Sequence, residues 1–266
     1  MQRSTRLQHL KQDSERLAAV ARRDLTRTVP SCPGWIVADV VLHTGAVQRA
    51  QTAIVAERAQ EPAGLRRAML QSLPGLLEWF ESSTLMGGRS DPNTVPVGLV
   101  DWFAEGASAC LATLKATDPS TPVWSWSGDQ TAQHYLRLLP IETAIHRWDV
   151  ECAHGAPTSM DAELARDAVG HTFTVMAPFR RAAKAAPAGA GETLLFRESG
   201  GNGSWLVRFD PEPRLLEAGA TYPSVTIRGS ASDLMLFLWG RLPASRLEVQ
   251  GDAGMLERYF QLVPPM

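Results

Sequence analysis

The chain has 266 residues, 44% of them hydrophobic and 20% charged, with a formal net charge of −2. Such a composition is globular rather than disordered, and the length suits one large domain or two of ordinary size. A near-neutral charge without a Lys/Arg run argues against nucleic-acid binding, no apolar run reaches the ~18–20 residues of a membrane span, and the polar start Met1–Gln8 lacks the apolar stretch of a secretory leader.

A soluble, cytoplasmic protein is therefore expected. Cys32, Cys110 and Cys152 form neither a Cys-x-x-Cys unit nor an even set, which predicts reduced thiols, with Cys110 a small core residue. Taken in order, residues 4–26 carry Leu7, Leu10, Leu17 and Val20 at helical spacing. The run Thr28-Val-Pro-Ser-Cys-Pro-Gly34 breaks the pattern. A second helix is predicted over 36–58, with Val37, Val40, Val41, Val47 and Ile54 on its apolar side, and a third segment over 65–82. After a Gly/Pro loop near 86–93, further helices are predicted over 97–117 and 131–154. Long amphipathic helices with short connections imply an antiparallel bundle.

The pattern changes near Gly155. A helix is predicted over 159–183, then a low-complexity turn, then strands over 193–197, 204–209, 225–228 and 246–250. Between the last two strands Ser230 is a candidate N-cap and Gly240 a candidate stop. A short helix over 252–263 closes the chain. This half reads as α+β with a small, mostly antiparallel sheet. The predicted fold class is thus α+β in two domains, 1–156 helical and 157–266 a smaller α+β domain.

The densest chemical signal is Glu142-Thr-Ala-Ile-His146-Arg-Trp-Asp149. The i,i+4 spacing stacks Glu142 and His146 on one helix face, where they form either a surface pair or two ligands of one metal ion. His43, in a similar helical setting upstream, is a third candidate ligand. Two imidazoles and one carboxylate leave tetrahedral zinc one open position, as in catalytic sites. Asp149, one turn beyond His146, either orients that imidazole or pairs with Arg147. Trp35 and Trp148 read as packing anchors and His134 as a partly buried helix histidine.

Three stretches, Val29-Pro-Ser-Cys-Pro-Gly-Trp…His43, Glu142-Thr-Ala-Ile-His146-Arg-Trp-Asp149 and Ile227-Arg-Gly-Ser…Leu238-Trp-Gly-Arg241, resemble the mycothiol-dependent maleylpyruvate isomerase family of actinobacteria. The resemblance spans essentially the whole chain. It implies a DinB-like four-helix metal-binding bundle followed by a sterol-carrier-like C-terminal domain. It places a divalent metal, usually zinc, on His43, Glu142 and His146, and it implies mycothiol as the thiol cosubstrate. Arg241 corresponds to an arginine contributed by the second domain, suited to a carboxylate; a helix-end arginine favoured by the helix dipole is the competing reading. The implied activity is thiol addition to a small electrophile, ending in cis–trans isomerisation or S-transfer, by a monomer or homodimer. Two other readings stay open: a zinc-water hydrolase on the same fold, which needs a general base beside the metal, and a non-catalytic small-molecule or lipid-binding protein, which needs an apolar tunnel in the second domain.

Overall fold

The computed structural model describes residues 1–61, 70, 72–217 and 219–265. The chain separates into two compact units, Met1–Thr158 and Ser159–Met266.

Among the described residues, four long helices build the first unit: α1 (Arg3–Ala21), α2 (Val37–Glu57), α4 (Leu99–Ala116) and α5 (Ala132–Ala153). A short α3 (Leu76–Ser82) precedes α4. It falls within the predicted third segment, of which residues 65–69 and 71 lie outside the described residues. Helix α1 packs on α4 and α5, and α2 packs on the same two, which closes the four into a bundle. Its seam holds one cluster with Leu17, Val37, Val41, Phe103 and Val150 and another with Leu10, Ile54, Cys110, Tyr135 and Leu139. Burying each such large apolar side chain stabilises the fold by roughly 1.5–3 kcal/mol.

Polar contacts fix the register that apolar packing leaves loose. The Gln48 side chain, fully buried on α2, donates from Nε2 to Thr143 Oγ1 of α5 at 2.9 Å and to Ser14 Oγ of α1 at 3.4 Å. Thr143 adjoins Glu142, so this link sets α2 against the stretch carrying Glu142 and His146. Where α2 meets α4, a Cβ on Gly45 would run into the Trp102 ring. The absence of a side chain there lets the helices approach, and Arg49 stacks 4.6 Å over the same ring.

Arg147 points away from Asp149. Its Nε donates to Asp13 Oδ1 at 3.1 Å and its Nη1 to Glu151 Oε2 at 2.7 Å. Glu151 also accepts from Arg16 Nε at 2.7 Å and from the Thr158 N–H at 2.8 Å. Burial alone would raise the Glu151 pKa, but the bonds from Arg16, Thr158 and Arg147 outweigh it and hold the carboxyl below its usual range.

In the second unit α6 (Ala162–His171) continues through a π-helical turn, Thr172–Met176, into α7 (Ala177–Ala183). Asp161 caps α6 by accepting from the Glu163 and Leu164 N–H groups. Strands β1 (Glu192–Glu198), β2 (Ser204–Phe209), β3 (Pro213–Leu216), β4 (Val225–Gly229) and β5 (Glu248–Gly251) form one sheet in the order β3-β2-β1-β4-β5. Among the described residues, β1 and β4 pair in parallel and the other neighbours antiparallel. The sequence reading contains four of these strands. The fifth, β3, is a short edge strand that starts at a proline and buries neither face fully, so no alternation marks it. Helix α8 (Ala231–Leu238) starts at Ser230, whose Oγ accepts from the Asp233 N–H at 3.0 Å, and stops before Gly240 at φ +72°. Helix α9 (Gly254–Leu262) completes the unit.

Phe173, Phe196, Phe209 and Phe237 surround the fully buried Tyr259, their ring centroids 5.8 to 6.5 Å from its own. Rings at that spacing are in packing contact, so they fill this interior as a core. No helix among the described residues is long and apolar enough to cross a membrane.

Candidate metal centre

The loop before α2 is folded back on itself. The Val29 N–H donates to the Trp35 carbonyl at 2.9 Å, Cys32 N–H to Val29 and Trp35 N–H to Cys32. Gly34, at φ +85°, takes the left-handed turn that this closure requires. Ile36 then enters α2 with its N–H bound by Asp39 Oδ2 at 2.9 Å, and Asp39 Oδ1 accepts from Ser90 Oγ. Burial raises the Asp39 pKa, partly offset by the bonds from Ser90 and Ile36. Both ends of the loop are thus held, and His43 follows two turns along α2.

His43 on α2 meets Glu142 and His146 on α5. One ligand atom from each lies within 4.8 Å of the others. The His43 and His146 rings stand edge to face at 4.9 Å between centroids, and Glu142 Oε2 is 3.7 Å from His146 Nε2. His146 is buried, whereas His43 and Glu142 are half-buried, so the cluster keeps an open side.

His146 Nδ1 lies 3.0 Å from Asp149 Oδ2. A carboxylate accepts only, so the ring donates from Nδ1, and its Nε2 lone pair is left facing Glu142 and His43. Asp149 is fully buried and itself held: Ser31 Oγ donates to Oδ1 at 2.6 Å, and Cys32 Sγ lies 3.6 Å from Oδ2. Of the two roles open to Asp149 in the sequence, the contact is with His146, while Arg147 is engaged elsewhere. Ser31 and Cys32 join the site without any signal in the sequence. As loop residues they carry no periodicity, and only the fold brings them against a helix about 118 residues away.

Trp35 is half-buried against the bundle core, and its ring stands edge-on to His43 at 5.5 Å. It is therefore both a packing anchor and a neighbour of a candidate ligand. Trp148 is buried. His134 stays apart: eight residues, about 12 Å of helix, separate it from Glu142. Its Nδ1 bonds Ser127 Oγ at 2.9 Å, and burial pushes its pKa down to about 4. Arg241 belongs to the second unit, just past α8, where its Nη1 donates to the Trp239 carbonyl at 2.9 Å.

A cleft of about 190 Å³ opens beside the cluster, with His43 in its wall and Gln51 two turns farther along α2. Leu42, Ala46, Val47 and Phe80 are among its apolar lining.

Two family models cover most of the chain. One, described as the mycothiol maleylpyruvate isomerase N-terminal domain, matches residues 7–151; the other, the corresponding C-terminal domain, matches residues 163–258. Among solved structures, the mycothiol-dependent maleylpyruvate isomerase and a histidine-to-alanine mutant of it share the fold, each with TM-score 0.61 over 95% of both chains, at 13% and 14% identity respectively. No curated protein matches.

Proposed function

The chain belongs to the mycothiol maleylpyruvate isomerase family, and from that premise we propose that it is a metal-dependent enzyme that uses mycothiol to isomerise, or to transfer sulfur to, a small electrophile. The observation that carries the proposal is the convergence of His43, Glu142 and His146, with His146 Nδ1 committed to Asp149. The donor set fits a divalent ion, zinc by the chemistry of two imidazoles and a carboxylate. An ion held there would supply positive charge that lowers the pKa of a thiol at the remaining position, making it nucleophilic at neutral pH.

The protein's own residues do the rest. Asp149 fixes the tautomer and direction of His146, and Ser31 fixes Asp149. Trp35 limits the freedom of the His43 ring. The Gln48–Thr143 bond keeps the two ligand-bearing helices in register. A largely apolar cleft opens beside His43. Arg241 is the proposed partner for a substrate carboxylate, through a bidentate contact. Reversible thiol addition to a cis double bond leaves a single bond free to rotate; expulsion of the thiol then returns the trans alkene, with every atom and electron conserved. If the thiol stays attached, the outcome is S-transfer.

The hydrolytic alternative requires a free general base. Both oxygens of Asp149 are engaged by Ser31 and His146, and His134 lies two turns away, so neither supports it. The ring-filled interior of the second unit weighs against a lipid tunnel. The test is turnover of maleylpyruvate by zinc-loaded protein with mycothiol, beside His43→Ala. Mycothiol-dependent isomerisation or conjugation that His43→Ala abolishes, with the variant still folded, is the expected result. Equal rates with and without mycothiol contradict the proposal.

A further inference from the structure

Asp149 is fully buried, and a buried carboxylate keeps its charge only where donors meet it. Two of its donors are neighbouring loop residues. Ser31 Oγ reaches Oδ1 at 2.6 Å, and Cys32 Sγ donates at 3.6 Å to Oδ2, the oxygen that also accepts from His146 Nδ1 at 3.0 Å. The Cys32 backbone is held on both sides: its N–H donates to the Val29 carbonyl at 3.1 Å, and its carbonyl accepts from the Trp35 N–H at 3.0 Å. The residue is half-buried and packs against the apolar cluster that contains Val29, Val37 and Val150. Two donors on one oxygen draw on the same charge, so the stronger the second, the weaker the first. A thiol is a weak donor. It fills the space beside Oδ2 with sulfur and takes little of the charge that holds His146. A hydroxyl or a water in that place would take more.

We propose that Cys32 is a positioning residue of the metal centre: its thiol occupies a second side of Asp149 Oδ2 and, as a weak donor, reserves that oxygen for His146 Nδ1. The inference rests on the proposed function, which makes His146 a ligand, and it adds a residue that acts on that ligand through Asp149. The more strongly Oδ2 draws on the Nδ1 proton, the more basic Nε2 becomes toward an ion. Sulfur at position 32 therefore strengthens the centre by competing weakly, without touching metal or substrate.

The His146 Nδ1 proton reports this bond directly, as a downfield proton resonance assigned by its absence in Asp149→Ala. It is recorded for the full-length native protein, Cys32→Val and Cys32→Ser, metal-free and zinc-loaded, with zinc affinity measured by chelator competition and the fold checked by circular dichroism. Cys32→Val keeps an apolar group of similar size and removes the donor. Its resonance should move downfield, and its zinc affinity should hold or rise. Cys32→Ser presents an O–H to Oδ2, its own or that of a water entering the space the sulfur leaves. Its resonance should move upfield, and its zinc affinity should fall by about two- to ten-fold, less than the roughly 10–100-fold that follows loss of the whole outer partner. A cysteine that only packs would leave both resonances in place or move them in the same direction, and either result overturns the assignment. Each variant carries its own sign, so one folded variant suffices. The two proposals fail separately. Opposite shifts in a protein that binds no zinc keep the role of Cys32 and sink the metal-dependent enzyme. Zinc- and mycothiol-dependent turnover with unmoved resonances keeps the enzyme and sinks the role of Cys32.

Discussion

Replacing Asp149 tests the architecture of the metal centre without touching a ligand. In Asp149→Ala, His146 Nδ1 loses its acceptor at 3.0 Å and the Ser31 hydroxyl its acceptor at 2.6 Å. The imidazole is then free to rotate and to change tautomer, and the tautomer protonated at Nε2, which cannot ligate through that nitrogen, becomes available. Loss of such an outer partner lowers metal affinity by roughly 10–100-fold, about 1.4–2.8 kcal/mol at 1.4 kcal/mol per decade. Asp149→Asn should fall less. Its carbonyl oxygen still accepts from His146 Nδ1 while its amide donates to Ser31, so tautomer and direction survive and only the charge is lost. The assay is competition for zinc against a chromophoric chelator, with circular dichroism to confirm the fold. Affinity of Asp149→Ala within two-fold of the native protein would refute the positioning role, as would equal losses in the alanine and asparagine variants.

Other perturbations probe the scaffold. Arg147→Ala leaves Asp13 without its cation and removes one partner of the buried Glu151; about 3–5 kcal/mol of stability should be lost in urea unfolding, and a loss under 1 kcal/mol would contradict the network. Gly45→Ala forces a methyl group into the Trp102 ring, and a thermal melt should show destabilisation of about 1–3 kcal/mol; an unchanged melting temperature would mean the helices part without cost. His134 titrates near 6.5 when unfolded and near 4 when folded, so the unfolded chain binds more protons between those values. Its contribution is full above pH 6.5 and lost as pH falls toward 4, up to about 3 kcal/mol. His134→Gln should flatten the stability profile between pH 7 and 4.5, and identical profiles would rule out this source.

Much of this architecture is legible in the residues. Val37, Val41 and Ile54 at helical spacing mark α2, and Ser230 and Gly240 mark the ends of α8, because burial of one face and satisfaction of helix termini are local demands. The i,i+4 pair Glu142/His146 is visible for the same reason. That His43 joins them is not a local property; it depends on the register of α2 against α5, set by Gln48 and Thr143. The support of Asp149 by Ser31 and Cys32 is hidden still more deeply, since loop residues bonded across the fold leave no spacing to detect. The edge strand β3 escapes because it buries too little to need an alternating pattern, and the π turn at Thr172–Met176 because apolar residues continue through it.

The most direct test of a thiol-activating metal centre is the metal content of freshly purified protein, beside His43→Ala, followed by zinc-edge X-ray absorption with and without mycothiol. About one zinc per chain, lost in the variant, and a new sulfur neighbour at ~2.3 Å when the thiol is added are the expected results. Zinc without a sulfur neighbour would contradict thiol activation, and no metal even after reconstitution would contradict the centre itself.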